Sequence, residues 1–111
     1  MTPEEISPFK ALDFIRDNAS AYAEAKANVV YMTEYRKTQK SILMGQSTAK
    51  TDGQREAYAY AHPNYIAHLE ALRIAIEEAE RLRWLMIAAE AKIEVWRSLE
   101  SSARMEGKST I

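Results

Sequence analysis

Cysteine is absent from the chain, which excludes disulfide staples, a thiolate nucleophile and any cysteine-based zinc site. Glycine and proline number only three each, so little interrupts a regular backbone. Long apolar runs are missing as well. The longest lies between Arg83 and Glu90, far short of the ~20 residues a membrane-spanning helix needs. The opening stretch MTPEEISPFK is acidic and has no apolar centre, so no signal peptide is expected. Net charge is nearly absent too: 15 basic against 16 acidic residues leave −1. That excludes a globally basic nucleic-acid binder, although a local basic patch is all that phosphate contact requires. A cytoplasmic, non-membrane protein is expected.

Catalytic constellations are also missing. His62 and His68 are six positions apart, which turns them about 120° away from each other on a helix. They do not form the i,i+4 pair of a helical metal site, and the plain expectation is one turn histidine and one solvent histidine. Glu70, Glu77, Glu78, Glu80, Glu90 and Glu94 resemble a carboxylate cluster, yet no Glu-x-x-His motif accompanies them. A solvated helix face is the simpler account. No serine belongs to a nucleophile motif, and GQSTAKTDG lacks the Gly-Lys-Ser/Thr ending of a phosphate-binding loop. The chain is expected to be no enzyme, with no metal and no cofactor.

What remains is the composition of long helices: 47% hydrophobic and 28% charged residues, rich in alanine, glutamate, leucine, lysine and arginine. Ser7-Pro8 is a helix start, with serine as cap and proline at the first helical position. From there Phe9, Leu12, Ile15, Ala19, Tyr22, Ala25, Val29, Met32, Tyr35, Gln39 and Ile42 recur at steps of three and four. Gly45 suits the left-handed position after a helix end. The spacing predicts a helix over 8–44, with a break possible at Asp17-Asn18. A polar loop over 45–51 and a short helix over 52–61 follow.

His62-Pro63 restarts the chain, and Tyr65, Leu69, Leu72, Ile76, Ala79, Leu82, Leu85 or Met86, Ala89, Ile93, Trp96 and Leu99 predict a last helix over 63–106. Residues 107–111 are expected to be a disordered tail. The expected fold is therefore all-α and a single domain over 1–106. It is a long antiparallel helical hairpin of two long helices and a short connecting one.

A two-helix hairpin buries only one seam. Between Leu82 and Trp96 the apolar set widens to include Trp84, Leu85, Met86, Ile87 and Ala88. Such a belt is too broad for one partner helix and predicts a homo-oligomeric bundle or ring, with Trp84, Leu85, Ile87, Ala88 and Trp96 in the interface. The competing arrangement folds the first helix back at Asp17-Asn18 into a monomeric bundle.

Charge is unevenly spread. Between residues 36 and 55 lie Arg36, Lys37, Lys40, Lys50 and Arg55 against Asp52 alone, a local +4. Tyr31, Tyr35, Tyr58 and Tyr60 are close in sequence. Cations interleaved with rings suit single-stranded nucleic acid, because the charges track phosphates and the rings stack on bases. Arg36, Lys37, Lys40, Lys50, Arg55, Tyr35 and Tyr58 are the candidate nucleic-acid-binding residues. The plainer reading keeps the cations as complements to the helix C-terminal dipole and the tyrosines as packing. A +4 end repeated around an oligomer would make binding multivalent.

The stretches YRKTQKSILM, REAYAYAHPNY and AEAKIEVWRSLESSARMEG resemble a group of small phage proteins encoded among recombination genes. The layout of long helix, basic loop, short tyrosine-bearing segment and long terminal helix is similar to the UvsY-like recombination mediators of T-even phages. That resemblance implies a helical, ring-forming protein in the bacterial host cytoplasm. Such a protein would bind single-stranded DNA and contact a recombinase, an annealing protein or a nuclease. The alternative is a protein-only helical adaptor or inhibitor that binds a phage or host protein without nucleic acid.

Overall fold

The computed structural model describes residues 7–109. The protein is all-α, with α1 over Pro8–Gln46, α2 over Asp52–Ala61 and α3 over Pro63–Ser109, and no strand among the described residues. No helix there is long and apolar enough to cross a membrane.

Each helix begins where local chemistry supplies a cap. The Ser7 hydroxyl accepts a hydrogen bond from the Lys10 amide at 3.2 Å, and Pro8 follows with its fixed backbone angle. The Thr51 hydroxyl accepts from the Gln54 amide at 3.2 Å and starts α2. His62 is the one residue between α2 and α3. Its extended backbone ends α2, its amide donates back to the Ala59 carbonyl at 3.2 Å, and its ring Nδ1 accepts from the Asn64 amide at 3.0 Å. A single histidine thus closes one helix and opens the next, in the turn role expected for it.

The break that Asp17-Asn18 would allow does not occur, and α1 is continuous there. The Asn18 side chain donates to the Phe14 carbonyl at 2.9 Å, one turn back, and Asp17 pairs with Arg16, so both polar side chains are used without interrupting the helix. Gly45 does not end α1 either. The helix runs on to Gln46, no glycine among the described residues has positive φ, and the Ser47 amide closes the last turn onto the Met44 carbonyl at 3.2 Å. Residues 107–109, expected in a disordered tail, continue α3, while residues 110 and 111 of that tail lie outside the described residues.

The chain forms two compact units. One is Ala23–Glu80; the other takes in the residues up to Tyr22 and those from Arg81 onward. In the Ala23–Glu80 unit α1 and α3 run antiparallel, joined by the loop and α2. Leu43, Ala59 and Tyr65 form its buried cluster, with Met44 packed against it, and Ala59 has no exposed surface. Farther along, His68 Nε2 lies 2.7 Å from the Met32 carbonyl, to which it donates, and the His68 ring packs on Tyr35 at 5.6 Å. His68 is therefore half-buried and bridges the two helices, instead of being the solvent histidine expected. In the other unit Pro8, Ala11, Leu82 and Ala89 are buried, flanked by half-buried Ile15, Met86, Ile93 and Trp96.

Over 8–32 of α1 and 65–96 of α3 the main line of burial follows alternating steps of three and four. On α3 the inward positions are Tyr65, His68, Leu72, Ala75 and Ala79 in one unit, and Leu82, Met86, Ala89, Ile93 and Trp96 in the other. On α1 they are Pro8, Ala11, Ile15, Asn18 and Tyr22, then Ala25, Val29 and Met32. This is the 3.5-residue period of a coiled-coil seam. It differs by one residue from the seam expected in several turns. Phe9, Leu12, Ile42, Leu69 and Ile76 are exposed by 40% or more, and Pro8, Ala11, Leu43, His68 and Ala75 face inward beside them. Small residues in the seam let two backbones approach closely, and the larger neighbours are left on the flanks.

This register has a direct test. Leu43→Ala should cost about 2–4 kcal/mol of unfolding free energy, because a 1% exposed leucine leaves a cavity. Ile42→Ala, next in sequence but 46% exposed, should cost less than about 1 kcal/mol. Urea denaturation of the two variants compares them directly, and equal losses would reject the register.

Candidate nucleic-acid interface

Three of the sequence-predicted cations meet in one place. Arg36, Lys37 and Lys40 share a face of α1 at i, i+1 and i+4, and they line an open cleft of about 360 Å³ with Tyr60 of α2 and Tyr65 of α3. The cleft lies wholly within the Ala23–Glu80 unit. The corner at His62 places Tyr60 just before the break and Tyr65 just after it, and their rings meet edge to face at 5.2 Å. Tyr65 is buried and belongs to the core cluster, so one wall of the cleft is the core itself.

The cations differ in what they already touch. Arg36 is exposed and makes no ion pair among the described residues. Lys37 reaches Glu34 at 3.4 Å across a well-exposed pair. Lys40 is half-buried: its Nζ lies 2.8 Å from Glu56 Oε1 and 4.9 Å from the centroid of the Tyr60 ring. The hydrogen bond to Glu56, reinforced by Tyr60, raises the Lys40 ammonium above its ordinary value, and the same bond holds the Glu56 carboxyl below the usual range. Both groups stay charged at neutral pH.

The other predicted residues are placed elsewhere. The Arg55 Nε donates to the Ala49 carbonyl at 2.8 Å and ties α2 to the loop, a structural use that competes with phosphate contact. Lys50 is exposed in the loop and does not line the cleft. Tyr35 stacks on Tyr31 at 5.9 Å and packs on His68, and Tyr58 meets His62 edge-on at 5.6 Å. Neither of these rings lines the cleft; Tyr60 and Tyr65 do. Glu56 is the residue that the charge pattern missed. It follows Arg55 directly, so a window ending at 55 counts four net charges where the folded chain neutralises one of them.

The expected interface residues divide in two. Trp84 is 60% exposed, Leu85 is 40% exposed and Ala88 is exposed, whereas Ile87 and Trp96 are half-buried. Trp96 continues the inward steps of α3. Trp84, Ala88, Ala91 and Val95 fall within about 60° of one another on the helix, on the side away from Leu82, Met86 and Ala89. Arg83 caps the exposed indole of Trp84 at 5.1 Å. Of the glutamates, Glu70 and Glu77 both bind Arg73 on the outside of α3, an exposed ionic ladder.

Comparison with protein-family models, with curated proteins and with solved structures finds no match for this chain. The chemistry of the cleft and of the Trp84 face therefore carries the functional reading.

The Lys40–Glu56 link sets a pH window. Glu56 has a lowered folded-state value, so its contribution is present above its ordinary 4.5 and is lost as pH falls through that lowered value. Lys40 has a raised one, so its contribution is present below 10.5 and is lost as pH rises through the raised value. Thermal melts of wild type and Glu56→Gln should differ most between pH 5 and 10 and converge toward pH 3. A difference that persists undiminished at pH 3 would rule out the ion pair as its source.

Proposed function

We propose that this protein is a non-enzymatic, self-assembling accessory factor of DNA recombination or replication that binds single-stranded DNA. The observation that carries the proposal is the cleft that Arg36, Lys37 and Lys40 line together with Tyr60 and Tyr65, with Lys40 over the Tyr60 ring. Cations beside aromatic faces suit a flexible strand, since phosphates bind the former and unstacked bases the latter. A duplex, with its bases stacked inside, would use only the charges. The resemblance to phage recombination proteins motivates the biological setting. In that setting the factor works in the host cytoplasm beside a recombinase, an annealing protein or a nuclease.

Self-assembly is supported by exposed apolar surface. Trp84 and Val95, with Ala88 and Ala91 between them, repeat at i, i+4, i+7 and i+11, the spacing a helix uses to dock on another helix. Repetition of the cleft around an assembly would add affinity through effective concentration without new contacts. The same face favours a second reading, a protein-only adaptor whose partner covers Trp84 while the cations serve the fold.

Two measurements separate these readings. Fluorescence anisotropy with a labelled oligo(dT) should show binding at low salt that weakens steeply at moderate salt, with a slope of about 0.7 per phosphate contacted. Lys37→Glu with Lys40→Glu should abolish it. A folded protein that binds no oligonucleotide at either salt leaves the adaptor. Light scattering should give a mass several times 12.6 kDa for wild type and a lower mass for Trp84→Glu with Ala88→Glu, at unchanged helical signal. A monomeric wild type would remove self-assembly.

A further inference from the structure

The cleft cation nearest the core is already held by the protein's own carboxylate. Glu56 and Tyr60 are one turn apart on α2, so that helix delivers an anion and a ring to Lys40 together. Arg36 and Lys37 at the same cleft are exposed and carry no comparably close partner: Lys37 is 3.4 Å from Glu34, and Arg36 has no ion pair among the described residues. Among the described residues the site thus has one unpaired cation, Arg36, one loosely paired in the open, Lys37, and one closely held, Lys40.

We infer that Glu56 is an intramolecular competitor for phosphate at Lys40, which sets how many charges an incoming anion must bring to enter the cleft. The inference rests on reading the cleft as a phosphate-binding site. A carboxylate oxygen and a phosphate oxygen offer the same acceptor to an ammonium group, so entry at Lys40 is an exchange and not an addition. Glu56 can give way because its side chain is 45% exposed, and Tyr60, one turn along α2, is its other hydrogen-bonding neighbour.

A lone phosphate that displaces Glu56 gains little, since one anion replaces another. A chain of phosphates that already engages Arg36 and Lys37 brings the next one to Lys40 at high effective concentration. Glu56 therefore favours polyanions over single phosphates.

Three proteins and three probes test this: wild type, Glu56→Gln and Glu56→Gln with Lys40→Gln, against oligo(dT), inorganic tripolyphosphate and orthophosphate. Circular dichroism confirms folding, and Glu56→Ala serves as a second variant. Glu56→Gln should bind oligo(dT) and tripolyphosphate roughly two- to fivefold more tightly than wild type, the range an exposed ion pair commands. Its salt dependence should steepen by about 0.7. Orthophosphate should gain proportionally more, so that discrimination falls. The gain should vanish once Lys40 is replaced.

No gain for either polyanion in Glu56→Gln overturns the inference, and so does a gain that survives loss of Lys40. If tripolyphosphate binding tightens as expected while neither wild type nor Glu56→Gln binds oligo(dT), the role of Glu56 stands and the single-stranded DNA reading falls.

Discussion

Two helices can bury only one stripe of each other, and this limit governs the protein. The inward positions of α1 and α3 step by three and four, and many of them are small: Ala11, Ala25, Ala75, Ala79 and Ala89. Alanine buries little area, so such a seam gains through close approach more than through bulk. Leu43, Leu72 and Leu82 are the large aliphatic side chains buried among the described residues. Helices as long as α1 and α3 draw their stability from packing of this kind more than from intrinsic propensity.

The same limit leaves large apolar side chains outside. Phe9, Leu12, Ile66, Leu69, Ile74, Ile76 and Trp84 are all substantially exposed. Single exposed residues of this kind are ordinary, but rows at helical spacing are not. The row from Trp84 to Val95 has the period of a second seam without a second helix to meet it. Self-assembly and adaptor function are two ways of covering the same surface.

The cleft owes its existence to the corner between α2 and α3. Pro63 cannot continue the hydrogen-bond ladder of α2, and His62 satisfies the amides that the break releases. The change of direction brings Tyr60 and Tyr65 together and sets Glu56 against Lys40. Arg55, pinned to the Ala49 carbonyl, ties the loop to α2. Charge at this end is thus divided between cations that hold the fold and cations that face the cleft. Linear charge density does not distinguish the two.

Helix existence and helix starts were legible in the sequence, because caps and proline act within a few residues of themselves. Ser7-Pro8, Thr51 and His62-Pro63 open the three helices for reasons visible in their own neighbourhood. The basic cluster on α1 was legible for the same reason: Arg36, Lys37 and Lys40 share a face through helical spacing alone. The exact seam was not. Choosing the largest apolar residue at each step selects Leu12, Ile42, Leu69 and Ile76, and the folded chain turns Ala11, Leu43, His68 and Ala75 inward instead. A rotation of one residue changes little in sequence periodicity, and only the opposing helix selects between registers. Nor could charge counting show that Lys40 is met by Glu56, sixteen residues away, or that Tyr60 and Tyr65 stand in the cleft in place of Tyr35 and Tyr58. The sequence by itself determined an all-α chain with its turns and its basic end, because those follow from local backbone chemistry. The seam register, the cleft walls and the partner of each cation were decided by tertiary structure, because each is a choice between neighbours that only folding brings within reach.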